Sequence, residues 1–468
     1  STQGAATLDL DPGAGTFTFI GPRQSAFLTS LDAAGDFAGA SAFCGTYGES
    51  GEAMAVDAAG NVYVAGRYSG QEDFDPGPGA VRLPFAGNED VFIAKYSPVG
   101  GLLWARSIGG ASYDRANGLA VDDGGDVYVV GSYSGTVDFD PGAGVFNLTS
   151  AGGTDQYVLK LNASGDFVWA FSAGNASNGA AEAVACAGGF VYVTGPFMGT
   201  VDFDPGPGDS SLTAAGGSAD IYVLKIDASG DLVWARGVGG TSTDSVAGIA
   251  LDAAGGVWTT GYFAATGDFD PGPATHSLVS AGERDAFILK LDAAGDFAWA
   301  GQIAGSSDQE GVGLVYDPSH DRILAAGFFY GATDLDPAGG TFTCTPDSYE
   351  DVFVVSLDGG GGFVWAAQLA GTGHERPAGI AVDSSGNAYT TGRFSNSMDF
   401  DPGPGQVWMD GSGIFLSKLT PQGDYAWGLL VKDIGANDTS LDIAVAPDGT
   451  VYTTGVVKAD RTGTGTRS

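Results

Sequence analysis

The chain has 468 residues, of which 43% are hydrophobic and 16% are charged, and 56 acidic residues against 19 basic ones give a formal net charge of −37. Such a surface repels nucleic acid and anionic membranes and attracts divalent cations, so we expect no nucleic-acid partner. The sequence contains no apolar run of the length that a membrane-spanning helix needs, so no membrane insertion is expected.

One short segment, Asp-Phe-Asp-Pro-Gly, recurs along the whole chain. Five copies are unchanged and two are near-copies, and the second aspartate returns every 64 to 66 residues. Tryptophan keeps the same spacing from Trp104 to Trp427, with Gly39 at that position in the first copy. A fixed period of this length is typical of a repeat architecture. The aspartate pairs of the seven copies are Asp9 and Asp11, Asp73 and Asp75, Asp138 and Asp140, Asp202 and Asp204, Asp268 and Asp270, Asp334 and Asp336, and Asp399 and Asp401.

Each repeat predicts four short strands, as the unit from 117 to 171 shows. Its strands are rich in β-branched and aromatic residues, and tight glycine-containing turns join the first to the second and the third to the fourth. A long excursion from 132 to 154 carries the Asp-Phe-Asp-Pro-Gly motif between the second and third strands. Tight turns forbid parallel crossovers, so four antiparallel strands fit one blade of a propeller. The predicted strands are 118–122, 127–130, 157–161 and 167–171.

The two ends of the chain complete one another. The sequence begins within the long segment that joins the second strand of a repeat to the third. It then supplies a third and a fourth strand at 26–31 and 36–43, and it ends with a first and a second strand at 443–445 and 451–455. Sharing one blade between the termini would close the ring and leave no unpaired edge. We therefore predict an all-β, seven-bladed β-propeller with four antiparallel strands per blade, forming a single domain over 1–468. The expected blades are 49–108, 114–174, 178–238, 244–304, 308–370 and 375–430, with a closing blade of 16–44 plus 441–457 and a tail of 458–468.

The repeat units resemble a known family. The segment Ala55–Gly66, which reads Ala-Val-Asp-Ala-Ala-Gly-Asn-Val-Tyr-Val-Ala-Gly, the segment Asp90–Tyr96 and the later Gly109-Gly110…Asp114 resemble bacterial SBBP-type β-propeller repeats. That resemblance implies a secreted or surface protein, and the Asp-Phe-Asp-Pro-Gly insertion departs from the family pattern. A weaker likeness to the tryptophan-docked blades of quinone-dependent dehydrogenases carries no activity over, because those enzymes have eight blades and a vicinal cysteine pair.

The aspartate loops suggest calcium. In an extended Asp-x-Asp both carboxylates point the same way, and the following proline and glycine can turn backbone carbonyls inward. Several carboxylate and carbonyl oxygens on one tight loop suit Ca²⁺. A third acid follows about 15 residues later in five copies, whereas Ser25 and Gly413 replace it in the other two, which should be weaker sites. The third acids are Asp90, Asp155, Asp220, Asp285 and Asp351.

A purely structural turn is the alternative interpretation of these loops. Asp-Pro-Gly is by itself a strong β-turn signal, with aspartate capping its own backbone. That reading explains the second aspartate of each motif. It explains neither the first aspartate nor the charge of −37, since paired acids repel each other unless they are neutralised.

The sequence offers few candidates for catalytic residues. His276, His320 and His374 are the only histidines, and they fall at unrelated repeat positions, so no triad can be assembled from them. The repeating tryptophans have the spacing of blade packing, with stacking against sugars as the alternative. We therefore expect no enzymatic activity.

These observations favour an extracellular, calcium-binding, structural or adhesive propeller module of a bacterial cell surface, matrix or filament. The expected partner is a glycan or a surface protein, and a carbohydrate-binding propeller is the alternative function, with an enzyme third. The segments 1–6 and 458–468 are nearly devoid of large apolar side chains and should be disordered when isolated. We expect self-assembly through these termini, by addition of one to a neighbouring copy.

Overall fold

The computed structural model describes residues 6–11, 18–21, 24–43, 48–431 and 439–458. These residues form antiparallel sheets and no helix, and therefore no helix that could cross a membrane. Seven sheets share one strand order, A-B-C-D, from the innermost strand to the outermost. The predicted seven-bladed propeller is confirmed. The expected tail 458–468 lies, apart from Lys458, outside the described residues.

Six blades are built from consecutive segments, and we number them 1 to 6 in chain order. Their strands are mostly seven or nine residues long. Strands A to D are Ser50–Val56, Val62–Tyr68, Asp90–Tyr96 and Leu102–Gly110 in blade 1; Arg115–Val121, Val127–Tyr133, Asp155–Leu161 and Phe167–Ala173 in blade 2; Ala183–Ala187, Phe190–Met198, Ala219–Asp227 and Leu232–Gly240 in blade 3; Ser245–Leu251, Val257–Phe263, Asp285–Leu291 and Phe297–Gly305 in blade 4; Gln309–Asp317, Arg322–Tyr330, Glu350–Asp358 and Phe363–Leu369 in blade 5; and Arg376–Val382, Ala388–Phe394, Gly413–Leu419 and Tyr425–Val431 in blade 6.

Blade 7 joins the two ends of the chain. Strands A and B come from the C-terminal side, and strands C and D come from the N-terminal side. Strand B pairs antiparallel with strand C along its whole length, with Phe27 opposite Gly455. Interstrand hydrogen bonds therefore close the ring, as the sequence predicted. The strands are Thr439–Val445, Val451–Lys458, Gln24–Leu31 and Phe37–Phe43.

The hydrophobic core lies between blades. Seven clusters of buried side chains fill the seven interfaces between neighbouring blades, including those of blade 7 with blades 6 and 1. Strands B and C are buried on both faces of each sheet. This two-sided burial explains why Val127-Tyr128-Val129-Val130 is an unbroken apolar run and not the alternating pattern of a half-exposed strand.

The excursion between strands B and C forms a small hairpin that reaches the preceding blade. In blade 2 the hairpin strands are Thr136–Asp138 and Asn147–Thr149, and Val137 pairs with Gly110 at the end of strand D of blade 1. Blades 1, 3 and 4 thereby become six-stranded sheets of mixed origin. The other hairpins are Ala6–Asp9 with Thr18–Gly21, Thr200–Asp202 with Ser211–Thr213, Thr266–Asp268 with Ser277–Val279, Thr333–Asp334 with Thr343–Cys344, and Ser397–Asp399 with Trp408–Asp410.

Candidate functional site

In the six hairpins whose loops the structure describes, the Asp-Phe-Asp-Pro-Gly motif or its near-copy forms the tip. In blade 2, Asp138 Oδ1 accepts hydrogen bonds from the backbone N–H of Asp140 at 3.1 Å and of Phe146 at 2.8 Å. Asp140 Oδ1 accepts a third bond from the backbone N–H of Gly142 at 2.8 Å. The two carboxylates therefore hold three backbone donors that the tight loop leaves without ladder partners.

The same three bonds recur in every loop whose side chains the structure describes throughout. The first aspartates are Asp73, Asp138, Asp202, Asp268, Asp334 and Asp399, and the second are Asp75, Asp140, Asp204, Asp270, Asp336 and Asp401. In the first copy, the side chain of Asp9 lies outside the described residues, as does most of the loop that follows the half-buried Asp11.

Two further residues fix the shape of each loop. Phe139 is fully buried, with its ring centroid 5.2 Å from that of Tyr133 and 5.1 Å from that of Tyr157. Gly144 lies so close to Asp140 that a Cβ there would stand 2.1 Å from Oδ2. A second glycine, as in the fuller pattern Asp-Pro-Gly-x-Gly, therefore leaves room for the aspartate, although one copy has Ala274 there and makes the same three bonds. Sequence reasoning overlooked that glycine, although six of the seven copies carry it at this position.

The third acids lie at the start of strand C, away from the motif of their own repeat. Asp220 accepts a hydrogen bond from the backbone N–H of Ala215 at 2.7 Å and is 6% exposed. It lines a cavity of about 430 Å³ together with Asp268 and Asp270, which belong to the next repeat. The third acid thus lines one cavity with the motif aspartates of the next repeat, across a blade interface. The equivalent acids Asp90, Asp155 and Asp285 bind backbone donors in the same way, and Asp351 binds Gln368 and Gly371.

A second buried acid stands beside several of the third acids. A Cβ placed on Gly239 would lie 2.8 Å from Asp220 Oδ1 and 2.9 Å from Asp244 Oδ2, so the two carboxyl groups flank that glycine. Burial raises the pKa of both Asp220 and Asp244 to about 6, and the charge of Asp220 adds to the effect at Asp244. The corresponding pair in blade 5 is Asp351 and Glu375. Burial raises the pKa of Asp351 to about 6. Burial, together with the charge of Asp351, raises the pKa of Glu375 to about 9.

The described oxygens do not by themselves compose a calcium site. Calcium takes six to eight oxygen ligands, and no group of three or more acidic, histidine or cysteine side chains converges in the part of the chain that the structure describes. In the six fully described loops, Oδ1 of each motif aspartate already accepts one or two backbone hydrogen bonds, as at Asp138 and Asp140. Backbone carbonyls would have to supply most of the shell. The calcium assignment stays a prediction.

The histidines lie in three separate places. His276 stacks on Phe297, and His374 Nδ1 lies 2.7 Å from Glu350 Oε2. His320 stands beside a serine and an aspartate, but Ser319 Oγ and Asp317 Oδ2 both contact the same nitrogen, Nδ1. A relay needs the two partners on opposite ring nitrogens. This arrangement therefore stabilises a turn and does not activate the serine.

The repeating tryptophans dock each blade onto the next. Trp169 Nε1 donates a hydrogen bond to the carbonyl of Ala228 at 3.1 Å, and its ring packs against Gly230 in the following blade. Trp104, Trp234 and Trp365 make the equivalent bond. The blade-packing interpretation is confirmed by these contacts.

The innermost strands surround a central channel. A bulge near the start of strand A turns one side chain toward the axis in most blades, for example between Val246 and Gly248. The channel-facing residues line a cavity of about 210 Å³ and differ from blade to blade. Aligning the seven repeats at this position would have revealed the difference, which sequence reasoning did not test. In blades 1 to 7 they are Glu52, Asn117, Glu182, Ala247, Val312, Ala378 and Leu441.

Curated relatives share part of this sequence. An uncharacterized WD repeat-containing protein of Acanthamoeba polyphaga mimivirus is 22% identical over 443 residues, which cover 80% of this chain and 31% of that protein. The regulatory protein FlaEY of Caulobacter vibrioides is 34% identical over 137 residues, covering 28% of this chain and 14% of that protein. The chain thus spans less than a third of the length of either relative.

Solved structures match most of this chain at low identity and low TM-score. A crystal structure of a putative 6-phosphogluconolactonase from Bacteroides uniformis is 13% identical, with a TM-score of 0.40, and the match covers 82% of this chain and 86% of that one. Sqt1 from Chaetomium thermophilum is 12% identical, with a TM-score of 0.37, and the match covers 88% and 97%. Residues 364–400 match the family described as Beta-propeller repeat, SBBP. This seven-bladed β-propeller therefore contains, at residues 364–400, a segment that matches the SBBP-type β-propeller repeat.

Proposed function

We propose that the chain is a non-catalytic structural or adhesive module of a bacterial cell surface, matrix or filament. One observation carries the proposal: the acids that recur with the repeat are used to hold the backbone. Asp138 and Asp140 together accept three backbone hydrogen bonds, and the pattern recurs in the other fully described loops. Residues that build every blade alike serve the rigidity of the whole ring.

The contacts of the basic residues support a structural role. Arg106 donates to the carbonyls of Gly165 and Ser164 in the next blade, and Arg236 makes the same two contacts with Gly295 and Ala294. Like the tryptophan bonds, these contacts fasten one blade to its neighbour. A rigid ring with a large negative charge is suited to presenting a surface outside the cell, where divalent cations can screen it.

Calcium is the stabilising cation in this proposal, and thermal melting tests that part of it. A cation bound only by the folded protein stabilises it by RT ln(1 + [L]/Kd), about 2.7 kcal/mol per site at a hundredfold excess. We expect a higher melting temperature in millimolar Ca²⁺ than in EDTA, with Mg²⁺ at the same concentration as the control for charge screening. Identical melting curves in Ca²⁺ and in EDTA would remove calcium from the proposal.

Adhesion is tested separately, on beads coated with the whole chain. Coated beads should cluster with one another or attach to bacterial surfaces more than beads coated with an unrelated protein of similar negative charge. Absence of both behaviours, in Ca²⁺ and in EDTA, would contradict the adhesive role. Binding confined to particular members of a glycan array would favour the carbohydrate-binding alternative instead.

A further inference from the structure

The central channel departs from the repeat. Three consecutive blades present polar side chains to it, Glu52, Asn117 and Glu182, whereas the other four present Ala247, Val312, Ala378 and Leu441. The two kinds are not interspersed, so at this position of the repeat one side of the channel is polar and the other is apolar. Nothing in the folding of a blade demands this division, because polar and apolar side chains both occupy the same bulge position.

The polar side offers hydrogen-bond acceptors to the channel. Asn117 donates through Nδ2 to the carbonyl of Ala181, and its Oδ1 accepts no bond from the described residues. Glu52 binds Arg67 through Oε1 at 3.0 Å and makes no described bond through Oε2. Glu182 forms no ion pair and accepts no side-chain hydrogen bond from any described residue, and burial raises its pKa because nothing there compensates the charge.

The remaining channel acid is already engaged. Asp442, in blade 7, accepts the backbone N–H of Met54 at 2.8 Å and of Ile443 at 2.8 Å. Its equivalents in the other blades are glycine or alanine, which let neighbouring A strands approach closely: a Cβ on Gly248 would lie 3.1 Å from Gly313 Cα. Asp442 therefore fastens blade 7 to blade 1, and the channel carboxylates that remain for a ligand are Glu182 and, through Oε2, Glu52.

We propose that this channel binds a primary ammonium group carried on a short aliphatic chain. An ammonium has three donors and no acceptor, which matches the three acceptors Glu182, Asn117 Oδ1 and Glu52 Oε2. The aliphatic chain would lie against Ala247, Val312 and Leu441. The cavity of about 210 Å³ equals the liquid volume of roughly seven waters, so it suits a small ligand and not a drug-sized one. This inference goes beyond the proposed structural role and does not depend on it.

The test titrates the whole chain with n-pentylammonium by calorimetry at physiological ionic strength. We expect binding to the parent and a loss of about tenfold or more in Glu182→Gln, since removing a charged hydrogen-bond partner typically has that effect. The matched control is Glu283→Gln, an exposed acid outside the channel, which should bind like the parent. Tetramethylammonium, which has the charge without the donors, and n-pentanol, which has the chain without the charge, should not bind.

A second variant keeps the proposal falsifiable if Glu182→Gln does not fold. Ala247→Trp fills the apolar side of the channel from an exposed position and should abolish binding of n-pentylammonium. A peptide with one internal lysine and both ends blocked distinguishes the two sources of the ligand. If the peptide binds, the ligand is a lysine of a protein partner. If n-pentylammonium binds and the peptide does not, the ligand is a free amine. Equal binding to the parent and to both variants, or no binding to the parent at about 10 mM, would overturn the proposal.

Discussion

The hairpin loops and the central channel derive from the same repeat but differ in how closely they follow it. Every fully described loop uses two aspartates for the same three backbone bonds, as at Asp138 and Asp140. The channel position at or just before the start of strand A changes from Glu182 in blade 3 to Ala247 in blade 4. A residue that recurs in every blade is accounted for by its role in folding the blade. A residue that differs from its equivalents in the other blades is not accounted for in this way. The channel is therefore the better place to look for a ligand.

The largest expected effect comes from opening the ring. A chain ending at 438 lacks strands A and B of blade 7, so Gln24–Leu31 loses its pairing with Val451–Lys458 and the interfaces with blades 6 and 1 lose buried side chains. We expect aggregation or loss of cooperative unfolding, because an exposed strand edge is left unpaired. Circular dichroism melting and light scattering measure this.

The matched control is a chain ending at Lys458, which keeps every strand of blade 7 and should melt like the parent. If the chain ending at 438 stays monomeric and melts at the same temperature, the closed ring does not stabilise the protein. The same control tests the predicted assembly through the termini, since a chain without 459–468 should then form fewer polymers than the full chain.

A large effect is also expected at the loop anchor. Phe139→Ala should lower the free energy of unfolding by about 3–5 kcal/mol, the usual range for a fully buried phenylalanine. The chain supplies its own control, because Leu335 occupies the same position in blade 5 and is equally buried. Phe139→Leu should therefore cost less than about 1.5 kcal/mol. Urea unfolding measures the free energy of unfolding of both variants. If Phe139→Leu loses as much stability as Phe139→Ala, the buried volume of the side chain is not what anchors the loop.

The sequence predicted the fold well because the fold depends on local signals that recur. The spacing of Trp169 and its equivalents, the tight turns and the apolar runs all repeat, and each copy confirms the others. Closure was predictable from where the repeat is interrupted at the two ends. The strand positions of blade 7 were close, with 26–31 predicted and Gln24–Leu31 found.

The site was predicted less well, because its contacts cross blade boundaries. Spacing along the chain placed Asp285 with Asp268 and Asp270, whereas the cavity near these loop aspartates includes Asp220 from the preceding repeat. The hairpin causes this, since it pairs with strand D of the blade before its own. No pattern within one repeat shows which neighbour a long excursion contacts. The turn interpretation of Asp-Pro-Gly anticipated the backbone bonds of the second aspartate.

A moderate effect should appear with pH at the paired acids. Burial raises the pKa of Asp220 and Asp244 from 3.8 to about 6. Between these values the folded protein holds more protons than the unfolded chain, so the free energy of unfolding falls as pH rises through that window. The stabilising contribution is complete below about pH 3.8 and is lost above about pH 6.

Asp244→Asn tests this assignment in EDTA, because an amide carries no charge at any of these pH values. Between pH 4 and pH 6.5, the free energy of unfolding of the variant should fall less than that of the parent. A pH dependence as steep as that of the parent would show that Asp244 does not titrate in the folded protein as described.

The smallest change in the free energy of unfolding is expected from Asp138→Asn, which tests the role of the loop acids most directly. Asp138→Asn keeps an Oδ1 that can accept the N–H groups of Asp140 and Phe146, whereas Asp138→Ala removes it and leaves both donors without their partner. Urea unfolding in EDTA should place the asparagine variant within about 0.5 kcal/mol of the parent and the alanine variant about 2 kcal/mol below it. If asparagine is as damaging as alanine, the carboxylate is needed for its charge, and the claim that the repeated acids serve the backbone is contradicted.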